Sequence, residues 1–201
     1  MNVTVIDYGA GNVTSVERAL SKLGATVTVT NRDDDIRTAK CLILPGVGHC
    51  GALIGALDSH QLRKPLIEAI NSGTAFLGIC LGLQALYEGS DEASELPGLG
   101  LFRGRVSLLP SDVKLPHMGW NQLRIEHPTS LLEDIPPDSH FYFAHSYAAP
   151  ASGRETAAVC CHGREFMAVL EHKNICGVQF HPEKSGAPGA KLLKNFLRRA
   201  S

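Results

Sequence analysis

Apolar positions in the first half of the chain switch repeatedly between the period of a strand and that of a helix. Val3-Thr4-Val5-Ile6 is a short run of buried-strand type. Val13, Val16, Leu20 and Leu23 then recur on one helical face, and Gly24 ends that helix. Thr26-Val27-Thr28-Val29 alternates as a second strand, which makes a βαβ opening and predicts a parallel sheet. Cys41-Leu42-Ile43-Leu44 is the next buried strand. Leu53, Ala56 and Leu57, then Leu66, Ile67 and Ile70, keep helical spacing up to Gly73. The apolar run from Thr74 to Cys80 passes into a helix that starts at Leu81 and continues through Leu83, Leu86 and Tyr87. Gly89 to Pro97 is polar and acidic and reads as a solvated loop.

From Gly100 onward the pattern becomes short strands separated by turns. Phe102 to Leu109, Pro116 to Leu123 and the aromatic run Phe141 to Tyr147 are three of these. Ala157-Ala158-Val159-Cys160-Cys161 and Phe166-Met167-Ala168-Val169-Leu170 form a hairpin around His162-Gly163-Arg164-Glu165. Asn174 to Phe180 is a last buried strand. Lys191 to Arg198 is an amphipathic helix whose basic end suits the helix dipole. The order predicts an α/β fold, a mostly parallel sheet with an added antiparallel portion, in a single domain over residues 1–201.

Composition narrows the function without choosing one. A chain of 201 residues can bury a sizeable core, and 44% hydrophobic with 19% charged residues is ordinary for a globular domain. A net charge of -1 predicts no general attraction to nucleic acid or anionic membrane, and no apolar run is long enough for a bilayer span. The opening Met1-Asn2-Val3-Thr4-Val5-Ile6-Asp7 reads as strand rather than signal peptide. The six cysteines lack C-x-x-C spacing, and several fall in apolar runs, which predicts reduced core thiols in a cytoplasmic protein. His140 and His145 are five apart in a strand-like run and point to opposite faces, which argues against a shared metal.

Chemistry concentrates at the predicted strand ends. Gly78-Ile79-Cys80-Leu81-Gly82 has the form of a nucleophile elbow with sulfur in place of oxygen. Its glycines relieve crowding around a strained residue, and the helix that follows favours the thiolate. A buried core cysteine would occupy such a turn equally well. Pro45-Gly46-Val47-Gly48 ends the preceding strand and exposes backbone amides toward the same crevice, although it also fits an ordinary turn. His181-Pro182-Glu183 ends the last strand, and residues two apart in extended backbone share a side, so Glu183 can orient His181. A solvated His and Glu in a turn is the plain alternative. Gln84 follows Cys80 by one helical turn and can face the same side. Gly9-Ala10-Gly11-Asn12 lacks the third glycine of a dinucleotide fingerprint; a tight βα turn with Asn12 near the helix cap suits it better.

Together, Pro-Gly-Val-Gly, Gly-Ile-Cys-Leu-Gly-Leu-Gln and His-Pro-Glu, in that order, resemble the triad-type (class I) glutamine amidotransferases. Asp7-Tyr8-Gly9-Ala10-Gly11-Asn12, Pro116-His117-Met118-Gly119-Trp120-Asn121, His145-Ser146-Tyr147 and His181-Pro182-Glu183-Lys184-Ser185 are similar to the subfamily of glutaminase subunits of imidazole glycerol phosphate synthase. Cys50 and Tyr147-Ala148 depart from that pattern, the second on a surface facing substrate or partner.

The resemblance implies a flavodoxin-like three-layer α/β/α fold and a cofactor-free, metal-free glutaminase. Cys80, His181 and Glu183 would be the catalytic triad, and Val47, Gly48 and Leu81 the oxyanion hole. Such a donor is worth about 3 kcal/mol. Gln84, His145, Ser146 and Tyr147 would bind L-glutamine. Ammonia would pass to a (β/α)8-barrel synthase in a heterodimer, with Asn12, Met118, Trp120, Tyr142 and Lys184 at the interface. The Val47-Gly48 peptide could switch the oxyanion hole, which would keep turnover low until the partner is loaded. Trp120 fits the interface by residue type, and a lone core tryptophan equally. A glutaminase serving another synthase, a cysteine hydrolase with another substrate, and a non-enzymatic binding subunit remain open at this level.

Overall fold

The computed structural model describes residues 1–9 and 12–200. Ala10 and Gly11, in the first glycine loop, lie outside the described residues, as does Ser201. The chain runs β1 (Asn2–Ile6), α1 (Val13–Lys22), β2 (Thr26–Thr30), α2 (Asp33–Thr38), β3 (Cys41–Gly46), α3 (Cys50–Ser59), α4 (Arg63–Asn71), β4 (Ala75–Cys80) and the single turn α5 (Leu81–Gln84). Next come β5 (Tyr87–Ser90), β6 (Ala93–Pro97), β7 (Phe102–Leu108), β8 (His117–Gln122), β9 (Arg124–Ile125), β10 (His140–His145) and β11 (Tyr147–Ala148). The last elements are β12 (Thr156–His162), β13 (Arg164–His172), β14 (Ile175–Val178) and α6 (Gly186–Arg199).

The large sheet has the order β2-β1-β3-β4-β14-β13-β12-β9. Pairing is parallel from β2 through β14 and antiparallel from there to β9. Alternation along the central strands divides the core into two layers. Val3, Val5, Ile43, Leu77 and Ile79 face Val16 and Leu20 of α1 and Leu192, Leu193 and Phe196 of α6. Ile6, Leu42, Leu44 and Phe76 face Ile36 of α2 and the apolar sides of α3 and α4. The sequence expectation of a three-layer α/β/α fold with an antiparallel extension is met. Among the described residues no helix is long and apolar enough to cross a membrane.

Two expectations fail around the elbow. The helix after Cys80 stops at Gln84 rather than running through Tyr87. The N–H groups of Leu99 and Leu101 take the carbonyls of Ala85 and Leu86 at 2.8 and 2.9 Å, so a longer helix has no acceptors left there. Tyr87 instead begins β5, fully buried, with its hydroxyl on Met167 Sδ at 3.0 Å. Gly89 to Pro97 is not a solvated loop: β5 pairs with both β6 and β7, and Ser90 and Ala93 are buried. Arg105 covers the polar groups there, with Nε on Asp91 and Nη2 on the Ser90 carbonyl. The polar sequence follows from partners supplied by a distant strand.

At the far end of the large sheet, Glu171 ties α6 to the turn at Thr129. Its carboxylate accepts the hydroxyls of Thr129 and Ser130 and the Leu131 N–H, and pairs with Arg199 at 2.5 Å. Burial alone would raise its pKa. The hydrogen bonds from Thr129 and Ser130, with the Arg199 charge, outweigh burial and hold the carboxyl below its usual range. A group depressed in the folded state contributes stability above its unfolded pKa and loses it as pH falls through the folded one. In urea unfolding across a pH series, Glu171→Gln should therefore be less stable than wild type at neutral pH. The gap should close as pH falls below the carboxylate range; a constant gap would contradict the assignment.

Candidate active site

The parallel strands β3, β4 and β14 end side by side. Gly46 is in register with Cys80 across β3 and β4, and Val178 with Ile79 across β14 and β4. One step further, the register brings Val47, Cys80 and Gln179 together at the carboxyl edge of the sheet. This is where such sheets hold their ligands.

Cys80 closes β4 with φ 53° and ψ -106°, a left-handed conformation costing a non-glycine residue about 1–3 kcal/mol. Close packing of α5 on the strands maintains it. A Cβ on Gly82 would overlap the Leu44 carbonyl oxygen, and one on Gly78 would lie 2.5 Å from the Gly82 carbonyl oxygen. Because α5 is a single turn, its dipole offers the sulfur less than the sequence suggested. The polar contacts of the sulfur come from side chains. Cys80 is 5% exposed and hydrogen-bonds the His181 ring, while Gln179 Nε2 donates to Cys80 Sγ at 3.5 Å.

His181 and Glu183 lie together, as their spacing predicted. His181 Nδ1 is 3.0 Å from Glu183 Oε1, and the two side chains are 3% and 1% exposed. Asn12 Nδ2 donates to the same carboxylate oxygen at 3.4 Å. The backbone is also anchored: His181 N–H donates to the Tyr142 carbonyl, while Ser185 Oγ donates to the His181 carbonyl and accepts the Tyr142 N–H. Burial pushes the imidazole pKa down, but hydrogen bonds to Cys80 and Glu183 and their negative charge more than compensate, and His181 is raised to about 10. The site therefore holds a protonated imidazole between the sulfur and a buried carboxylate.

Gln84 is 4% exposed and its amide nitrogen is committed within the protein. Nε2 donates to the Tyr147 carbonyl at 2.7 Å and to Gln179 Oε1 at 3.0 Å. His145 is likewise buried, with Nδ1 on the Tyr147 carbonyl and Nε2 on His117 Nδ1 at 3.1 Å. His117 stacks on His162, with ring centroids 4.3 Å apart. Burial takes His117 down to about 4, and takes His145 to about 3 against the pull of its Tyr147 hydrogen bond. Both are neutral at pH 7 and serve as polar fasteners. The segment His145-Ser146-Tyr147 thus reaches the site through its backbone.

The oxyanion candidates divide. Leu81 is the first residue of α5, so its N–H has no intrahelical acceptor. Val47 N–H instead donates to Tyr8 Oη at 3.2 Å, and that hydroxyl returns a hydrogen bond to the Val47 carbonyl at 3.4 Å. Gly48 follows at φ 91°, the conformation its lack of a side chain permits. Tyr8 is 3% exposed, and burial raises its phenol pKa.

Beside the His181 loop lies an exposed aromatic patch. Trp120 and Met118 are 56% and 64% exposed on one face of β8, so Trp120 is not the core residue it might have been. Tyr142, paired with Trp120 across β10, meets it edge-on at 5.9 Å, and Lys184 Nζ lies 5.9 Å from the Tyr142 centroid. Asn12 stands at the nearby carboxylate. The sequence motifs contain Tyr8 without giving it a role, and Gln179 passes there as part of the buried strand from Asn174 to Phe180. The available signal was a single polar residue, Gln179, inside an otherwise apolar run.

Comparisons with known proteins give the family and the fold. The family profile of glutamine amidotransferase class-I matches residues 4–200, and the chain belongs to that family. Its relatives include the imidazole glycerol phosphate synthase subunit HisH of Desulfitobacterium hafniense, 46% identical over 96% of this chain and 92% of that protein. The subunit of the same name from Methanothermobacter thermautotrophicus is 45% identical over 97% of each. A crystal structure of a glutamine amidotransferase superposes with a TM-score of 0.78 at 19% identity over 98% of each chain. The structure of PurLQS from Thermotoga maritima also gives 0.78, at 21% identity over 100% of this chain and 99% of that one, and both agree in fold.

The His181 assignment can be read directly by NMR titration of its ring nitrogens. Glu183→Gln keeps the size of the partner and removes its charge. The His181 midpoint should fall by at least about 1 pH unit. An unmoved midpoint would mean that Glu183 does not hold the imidazolium.

Proposed function

We propose that this chain hydrolyses L-glutamine to L-glutamate and ammonia with Cys80 as nucleophile, His181 as general base and acid, and Glu183 as its orienting carboxylate. It is a glutaminase subunit of imidazole glycerol phosphate synthase, serving histidine biosynthesis. The observation that carries the residue assignment is the buried Cys80–His181–Glu183 sequence of contacts at the carboxyl edge of the sheet.

The Cys80 sulfur attacks the side-chain amide carbon, and the thiol proton resides on His181. Collapse of the tetrahedral adduct breaks the C–N bond as His181 gives its proton to nitrogen, which leaves as ammonia. Water then adds to the glutamyl thioester, with His181 taking its proton, and glutamate departs as the thiol is restored. The Leu81 N–H faces the developing oxyanion, and an amide from Val47-Gly48 joins it when that loop turns inward. Gln84 retains its carbonyl oxygen for the substrate α-ammonium, since its amide nitrogen is already engaged. Ser146 and the Tyr147 backbone complete the rim.

Ammonia passes to a (β/α)8-barrel synthase subunit that docks on Met118, Trp120, Tyr142, Lys184 and Asn12. There it meets a phosphoribulosyl intermediate and yields imidazole glycerol phosphate and an aminoimidazole carboxamide ribotide. An exposed tryptophan against a tyrosine is the kind of anchor that dominates such interfaces. Cytoplasmic residence belongs to the same reading and is supported by the free buried thiols.

Purified chain should release glutamate from glutamine, strongly only with a cognate synthase barrel carrying its ribonucleotide ligand, and Cys80→Ala should abolish the release. Turnover of another amide in place of glutamine would instead mark a different cysteine hydrolase. Equal turnover with and without the loaded partner would remove the loop switch from the proposal. The Tyr8 hydrogen bonds give the switch a specific restraint. Tyr8→Phe removes both and should raise partner-free turnover by at least about 2–10-fold, the worth of one of them. Unchanged or lower partner-free turnover would show that Tyr8 does not restrain Val47.

A further inference from the structure

We infer that Gln179 is a dedicated hydrogen-bond donor to the Cys80 sulfur, and that Gln84 and the Tyr147 carbonyl set the polarity of that donation. Gln179 has no exposure, yet it lies in a strand end otherwise filled by Val178 and Phe180. A side-chain amide in such a place is costly unless both of its ends are matched. Each end has one partner: Oε1 accepts from Gln84 Nε2 at 3.0 Å, and Nε2 donates to Cys80 Sγ at 3.5 Å.

An amide can be turned end for end with little change in shape, so its orientation needs a reason. Here the reason begins at a backbone atom. The Tyr147 carbonyl can only accept, so at 2.7 Å it requires the NH2 end of Gln84. That NH2 group has a second proton, which points to Gln179 and requires the carbonyl end of Gln179 in return. The NH2 end of Gln179 is then the one left to face sulfur. A fixed acceptor two side chains away thereby ensures that Cys80 meets an N–H and not a carbonyl.

The consequence is chemical. An N–H donor stabilises the thiolate more than the thiol, whereas a carbonyl would do the reverse. His181 supplies the proton acceptor on one side of the sulfur, and Gln179 supplies a neutral donor on another. Since α5 is one turn long, this amide does part of what a longer helix would have done. Gln84 also links the substrate end of the site to the nucleophile. A ligand that draws on the Gln84 amide acts on the orientation of Gln179.

The inference rests on Cys80 being the nucleophile, but its test needs no glutamine, so failure of the two readings can be told apart. The pH dependence of Cys80 alkylation by iodoacetamide is followed by peptide mass spectrometry, which separates Cys80 from the exposed Cys161. Gln179→Glu keeps the shape and the acceptor for Gln84 but presents an oxygen to sulfur. Gln179→Met removes the amide. Both should move the alkylation midpoint upward, Gln179→Met by about 1 pH unit and Gln179→Glu by more, with alkylation at pH 7 slowed about tenfold in the former. Gln84→Met should give a smaller shift in the same direction, not additive with Gln179→Met, because the two residues act in series. Circular dichroism and urea unfolding establish that each variant is folded, and Gln84→Met, which leaves Gln179 in place, serves if either Gln179 variant is not. Unchanged midpoints in folded variants would overturn the inference and leave Gln179 as a packing residue. Fully additive shifts would overturn the part assigned to Gln84.

Discussion

The contact on which the site depends is between the backbone of the elbow turn and the backbones of the two strands beneath it. Gly78 and Gly82 leave no room for a methyl group, and Gly82 rests against the Leu44 carbonyl. That closeness holds Cys80 at φ 53° against its own preference. The cost of the strained residue is spread over the tight packing of α5, β3 and β4. The segments that surround the elbow are then positioned by strand register. Val47 arrives from β3, and Gln179 and His181 arrive from beyond β14. A shift of one residue in either pairing would turn those side chains to the other face.

Much of this was legible in the sequence because it is local. The βαβ opening, the buried strands and the C-terminal helix follow from short-range periodicity. Cys80, His181 and Glu183 follow from motifs whose members sit within a few residues of one another. What was not legible is what distant segments contribute. Gly89 to Pro97 looked like a loop because its polar residues meet partners on β7. Tyr87 kept helical spacing, yet the N–H groups of the segment from Leu99 took the carbonyls that a helix required. The helix over Asp33–Thr38 has one buried apolar residue, Ile36, and its start is marked by three aspartates rather than by a stripe. His145 was expected beside substrate, but its side chain is occupied by His117 and Tyr147.

The electrostatics of the molecule are arranged by burial. The same loss of water that drives His117 and His145 to neutrality would do so to His181, were it not paired with Cys80 and Glu183. Three buried imidazoles therefore end in two protonation states according to their partners. The first two have further imidazoles as neighbours, which add to the effect of burial, while the third is hydrogen-bonded to Cys80 and Glu183. The neutral pair fixes the β8–β10 ribbon to the large sheet, while the charged one lies between Cys80 and Glu183.

Tyr142 stands on both sides of that division. Its ring forms one wall of the exposed patch with Trp120, and its peptide group holds His181 N–H and the Ser185 hydroxyl. The outer face and the buried His181 thus share a support one residue thick. A change at the outer ring therefore also reaches the backbone that aligns a buried imidazole. A substitution in the patch therefore leaves the imidazole undisturbed only where the backbone of Tyr142 stays in place.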